Sequence, residues 1–130
     1  MNKDIKAEWV KKLRSGAYLQ TKNVLKRTEP DVGNSGIVPS GYCCLGVLCE
    51  IAVENEIGVW VATGRDYAGF SRSGQSAFLP TDVARWAEIR YSAYSSDDDD
   101  EDADVIGELM GMNDSGVPFA EIADYIEEHL

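Results

Sequence analysis

The sequence predicts an α+β fold: a compact single domain, residues 1–130, with four or five helices packed on a small antiparallel sheet. Three observations predict it. Amphipathic segments of helical period stand at both ends, a nearly all-apolar segment stands in the middle, and short β-type runs bounded by Gly, Pro and Ser lie between. A chain of 130 residues with 44% hydrophobic residues, three Trp, six Tyr and three Phe can bury a core without disulfides or metal.

Lys3 to Ser15 reads as the first helix. Ile5, Trp9 and Leu13 recur along one stripe, widened by Val10, and Lys6, Lys11, Lys12 and Arg14 cover the rest. Ser15-Gly16 supplies the stop, and the basic last turn complements the helix dipole. Tyr18 to Arg27 changes period: Tyr18, Gln20, Lys22, Val24 and Lys26 share one side and Leu19, Thr21 and Leu25 the other, which predicts a strand or hairpin arm. Glu29 to Gly41, with Pro30, Gly33, Asn34, Gly36 and Pro39, reads as a long loop. Tyr42 to Asn55 is apolar nearly all round until Glu50 and Glu54, so the helix over Cys44 to Val53 is predicted to be buried at the centre of the core. Gly46 inside it costs about 1 kcal/mol against Ala unless a neighbour packs closely on it.

Val59 to Thr63 is a short β-type run, and Ser76 to Leu79 is expected to return as its partner across a Gly- and Ser-rich loop from Gly64 to Gln75. Thr81 is expected to cap a helix from Asp82 to about Arg90, with Val83, Trp86 and Ala87 inward. Low complexity from Tyr91 to Asp104 predicts a solvated, mobile acidic loop over residues 92–104. Val105 to Met112 predicts a short helix closed by a turn at Asn113-Asp114-Ser115-Gly116. Pro118 opens the last helix, whose Phe119, Ile122, Ala123, Ile126 and Leu130 form a core stripe opposite Glu121, Asp124, Glu127 and Glu128.

Charge is sorted along the chain. The formal net charge is -11, yet Met1 to Arg27 hold eight of the twelve Lys and Arg, and Tyr91 to Leu130 hold thirteen acids and no Lys or Arg. The acidic balance argues against generic DNA binding and against adsorption to anionic membranes. No apolar run reaches the ~20 residues of a membrane span, and the charged N-terminus lacks a signal-peptide core. Three cysteines, two of them adjacent, do not make a disulfide framework, so a reducing cytoplasm is the expected location.

The order of motifs resembles a group of small proteins encoded by tailed bacteriophages and prophages, especially those of actinobacteria. The residues that carry it are Trp9 with Leu13-Arg14-Ser15-Gly16 and Tyr18-Leu19-Gln20, the string Tyr42-Cys43-Cys44-Leu45-Gly46-Val47-Leu48-Cys49, Leu79-Pro80, Trp86, Met112-Asn113-Asp114-Ser115-Gly116 and Phe119-Ala120-Glu121-Ile122-Ala123. The segment between Ser95 and Asp104 departs from that pattern. The resemblance implies a phage origin and assigns no activity to any residue.

Several constellations bear on chemistry. Cys43 and Cys44 fall at a predicted helix N-terminus, where a thiol pKa can drop, but a nucleophile also wants a base and the only His is His129. The simpler reading makes Cys43, Cys44 and Cys49 small core residues. Their spacing does not suit zinc, the run Asp97 to Asp102 lacks the pattern of a calcium loop, and no metal or cofactor is expected. Arg65 and Arg72 beside glycine-containing loops can hold an anionic small molecule or offset nearby acids. The leading candidate is the acidic stretch Asp97, Asp98, Asp99, Asp100, Glu101, Asp102 and Asp104, read either as solvated loop or as a nucleic-acid-like face for a basic partner. The basic N-terminal end can pair with the acidic C-terminal end of the same or another copy. The expected function is a non-catalytic phage accessory protein that binds and modulates a host protein, such as a defence or nucleic-acid enzyme. The alternatives are a nucleotide-binding sponge and a small thiol enzyme.

Overall fold

The computed structural model describes residues 1–28, 41–63, 66–71, 74–91 and 101–130. Helix α1 (Lys3–Arg14) starts at Asn2, whose Oδ1 accepts from the N–H groups of Asp4 at 3.0 Å and Ile5 at 3.1 Å. It buries the predicted Trp9, Val10 and Leu13. Helix α2 (Cys44–Glu54) lies at the centre, with eight residues buried. The Trp9 indole N–H donates to the Cys44 carbonyl at 2.9 Å and ties the two helices together. Gly46 has the close neighbour its position demands: a Cβ there would lie 1.7 Å from the Leu25 carbonyl oxygen. Helix α5 (Phe119–His129) buries Phe119, Ile122, Ala123 and Ile126 in the core and packs on α1 and α4.

The sheet is antiparallel, with strands β1 (Lys26–Arg27), β2 (Gly41–Tyr42), β3 (Trp60–Ala62) and β4 (Tyr67–Phe70) in the order β2-β1-β4-β3. Two expectations about it are corrected. The strand expected over Tyr18 to Arg27 is confined to Lys26–Arg27: Gln20 makes only an isolated bridge to Tyr42, and Asn23 adopts φ +67°, which breaks the alternation. The partner of β3 is β4, not Ser76 to Leu79. Gln75 Oε1 accepts from the N–H groups of Ala77 at 3.3 Å and Phe78 at 3.2 Å, taking donors that a ladder there would need. Gly69 allows the strand at residues 67–70, because a Cβ there would meet the Gly74 carbonyl oxygen at 2.7 Å.

Helix α3 (Thr81–Trp86) is shorter than expected and is capped by Pro80 without a side-chain bond, so Thr81 is its first residue rather than its cap. Glu88, at φ +58°, ends the helical path before Arg90. Helix α4 (Ala103–Asp114) is longer than expected at both ends. Asn113 and Asp114 belong to its last turn rather than to the loop, and the reversal comes at Gly116, φ +91°. Most of the acidic loop, residues 92–100, and most of the long loop, residues 29–40, lie outside the described residues. Among the described residues no helix is long and apolar enough to cross a membrane.

Candidate functional site

The acidic C-terminal third is built on α4 and α5. Of its predicted binding residues, Asp97, Asp98, Asp99 and Asp100 lie outside the described residues, whereas Glu101, Asp102 and Asp104 are placed. The last two residues of the run do local work. Asp102 Oδ2 accepts from the Arg90 backbone N–H at 2.7 Å, the Asp102 N–H donates to the Arg90 carbonyl at 3.1 Å, and the Arg90 guanidinium reaches Glu101 at 3.2 Å. These bonds hold the ends of the intervening segment together. Asp104 stands in the first turn of α4, where the helix dipole favours a carboxylate.

The basic and acidic ends of the chain meet within one molecule. Arg14 at the end of α1 forks onto Glu127 at 2.9 and 3.0 Å and reaches Asp124 at 2.5 Å, and Lys6 Nζ donates to the Glu127 carbonyl at 3.1 Å. The bonds to Glu127 and Asp124 raise the Arg14 pKa, and the Arg14 bond holds Glu127 below its usual carboxylate range. Part of the charge sorting is thereby used inside the fold. Asp104, Glu108 and Glu121 have no cationic partner among the described residues.

A cavity of about 180 Å³ opens at the N-terminus of α2, lined by Asn23, Cys43, Phe78, Met110, Asn113 and Asp114 among others. Asn113, only 1% exposed, is the polar hub beside it. Its Oδ1 accepts from Gln20 Nε2 at 3.0 Å and from the Cys44 N–H at 3.2 Å, and its Nδ2 donates to the Thr21 carbonyl at 2.8 Å. Asp114 next to it accepts from the Asn23 N–H at 2.9 Å. These are structural ties joining three separate segments.

Cys43, Cys44 and Cys49 are all buried and free. The Cys43 sulfur caps α2, accepting from the Gly46 N–H at 3.4 Å. Burial pushes the Cys43 thiol up to about 11 and the other two well above their ordinary value. The desolvation of the site thus outweighs the helix N-terminus, and the thiol form is favoured. His129 sits with its ring 4.1 Å from that of Tyr125 at the far end of α5. In the unfolded chain thiols ionise near ~8.5, so the unfolded state sheds protons first as pH rises. The stability tied to these thiols is fully present below about pH 8.5 and is lost as pH climbs toward the folded value near 11. The urea midpoint is expected to hold between about pH 7 and 8 and to fall steadily by about pH 10. Ellman's reagent at about pH 8 is expected to leave the native thiols untouched and to titrate all three in denaturant. Rapid labelling of Cys43 in the native protein contradicts this.

An aromatic ladder escaped the sequence reading. Tyr18 packs edge-on against Tyr42 at 5.3 Å, Tyr42 lies 6.4 Å from Trp60, and Trp60 meets Phe70 edge-on at 5.4 Å. Lys26 Nζ lies 5.4 Å from the Tyr42 ring centroid and 5.2 Å from that of Trp60. Glu50 accepts from the Trp60 indole N–H at 2.6 Å, and burial followed by the Glu50 charge pushes the Tyr42 hydroxyl up to about 12. The signal was the strand register, which puts Lys26 opposite Tyr42 and Trp60 opposite Phe70, and that register was invisible without the correct partner strand.

Arg65 and Arg72, the predicted anion-holding pair, lie outside the described residues. Among the described residues no group of three or more His, Cys, Asp or Glu is placed to hold a metal ion. One family model matches residues 1–130, the full sequence given. The chain belongs to the family described as Domain of unknown function (DUF8296). The DUF8296 match reaches every element from α1 to α5 and includes the acidic run. No curated protein and no solved structure matches the chain.

Proposed function

We propose that this chain is a non-catalytic accessory protein, of the phage type its motifs resemble, that binds a basic surface on a host protein in the cytoplasm. Its acidic C-terminal face competes there for a groove built for nucleic acid. One observation carries the reading: Arg14 neutralises only Asp124 and Glu127, while Asp104, Glu108 and Glu121 are left without a cation among the described residues, and the sequence adds four further aspartates at Asp97 to Asp100. A carboxylate face held on two packed helices gains from a cationic groove and associates fast at low salt.

The test is capture from host lysate at about 50 mM and about 300 mM salt. The substitutions belong at Asp97 to Asp100, to Ser and Gly, with Glu101 and Asp102 kept because they close the segment onto Arg90. The expected result is a basic partner whose binding weakens about tenfold or more at high salt and in the variant. Capture that is indifferent to both removes the acidic-face reading.

A further inference from the structure

Among the described residues the sheet has one open edge. On the β2 side the segment from Leu19 to Thr21 runs alongside, with the Thr21 N–H donating to the Tyr42 carbonyl and the Tyr42 N–H to the Leu19 carbonyl, both at 2.8 Å. On the other side β3 has no neighbouring strand among the described residues. The Ser71 N–H donates to the Val59 carbonyl at 2.8 Å, which sets the parity of the ladder. Val59 and Val61 turn their backbone groups toward β4, so Trp60 and Ala62 turn theirs outward, where no described residue meets them. Val59 is 60% exposed and Val61 43%. Natural edge strands are guarded by shortness, charge, proline, a bulge or a covering element, and β3, at three residues, has the first of these. Ile57 to Thr63 holds no charge and no proline, on a chain of net charge -11.

We propose that β3 is a homodimer interface, in which two copies pair antiparallel across a two-fold axis at Val61 and join their sheets. This is the register in which every β3 residue faces a β3 residue: Trp60 pairs with Ala62 of the partner subunit, and Val61 with Val61 of the partner subunit. The outward N–H and C=O groups of Trp60 and Ala62 then satisfy one another, and the large Trp side chain stands opposite the small Ala. The uncharged run explains why the occupant is a second copy. Two strongly acidic chains can meet along this strand without opposing carboxylates, whereas a basic strand finds no carboxylate in it; Asp82 borders the adjoining groove but is not part of the strand.

The test uses the purified chain alone with its acidic run intact, so it is independent of host-protein binding. Sedimentation velocity is expected to show a concentration-dependent monomer–dimer equilibrium. Val61→Lys places like charges at the axis and is expected to weaken association about tenfold or more, with an unchanged circular dichroism spectrum because the side chain is already 43% exposed. In a non-hydrogen-bonded antiparallel pair the Cβ atoms lie ~4.5–5.5 Å apart, close to disulfide reach. Val61→Cys is therefore expected to cross-link under air with copper phenanthroline, while Val59→Cys cross-links only when mixed with Thr63→Cys. A monomer up to about 1 mM, a dimer that survives Val61→Lys, or equal cross-linking of Val59→Cys by itself overturns the proposal.

Discussion

Gly46→Ala is expected to destabilise the fold by about 3 kcal/mol or more, the upper range of overpacking, against a helix-propensity gain of about 1 kcal/mol. The added Cβ would sit 1.7 Å from the Leu25 carbonyl oxygen and 2.7 Å from its carbon, both backbone atoms. No rotamer change relieves that clash. Either α2 moves off Leu25 or the Leu25 backbone moves. The second route strains the bonds that the Leu25 carbonyl accepts from the Cys43 N–H at 3.2 Å and that the Leu25 N–H donates to the Ser76 carbonyl at 2.7 Å. Gly107→Ala and Gly111→Ala supply the control within the same chain. Both positions lie in α4 with nothing within 4 Å of the added Cβ, so the same substitution is expected to stabilise by up to about 1 kcal/mol. Urea unfolding of the three variants decides it. A Gly46→Ala midpoint at or above that of the parent chain rules out the close approach of α2 to Leu25.

What the sequence carried and what it withheld follow one physical line. Helical stripes were legible because each is a local, repeated burial decision: Trp9 and Leu13, Leu45 and Leu48, Ile122 and Ile126 all lie where the period puts them. Even the cost of Gly46 was readable as a demand for a close neighbour, though not which neighbour. Strand pairing was not legible, because β1, β2 and β3 have only two or three residues each and their register depends on partners far along the chain. Ser76 to Leu79 carried the better β pattern, but Gln75 captured its N–H groups, while Tyr67–Phe70 gained neighbours on both sides. The candidate acids were legible as a surplus of charge. That Glu101 and Asp102 fasten onto Arg90, and that Arg14 takes Asp124 and Glu127, required the fold. Asn113 was misassigned for the same reason. Its composition says turn, and its role depends on three segments no local pattern connects.

Asn113→Ala is expected to cost about 3 to 4 kcal/mol, since it removes three hydrogen bonds and orphans two backbone groups, each worth ~1–3 kcal/mol when left unpaired in a buried site. The Thr21 carbonyl and the Cys44 N–H lose their partner outright, whereas Gln20 Nε2 keeps its bond to the Val117 carbonyl at 2.7 Å. The loss falls at the junction of the 20–21 segment, the start of α2 and the end of α4, so all three loosen together. Asn113→Asp separates this hub role from mere volume. The substituted side chain keeps the acceptor for Cys44 and Gln20 but, when ionised, sets an oxygen against the Thr21 carbonyl and buries a charge at a position 1% exposed, next to Asp114. Burial and the neighbouring carboxylate both push such a carboxyl up in the folded state. By linkage its penalty is small near pH 4, where a protonated oxygen can donate to Thr21, and grows as pH rises through the unfolded-state value toward neutrality. The quantity to measure is the difference in unfolding free energy between parent and variant at about pH 4.5 and about pH 7, which cancels the general effect of pH on an acidic chain. A larger difference at about pH 7 supports the buried setting of Asn113 beside Asp114, and an equal difference at both pH values removes it.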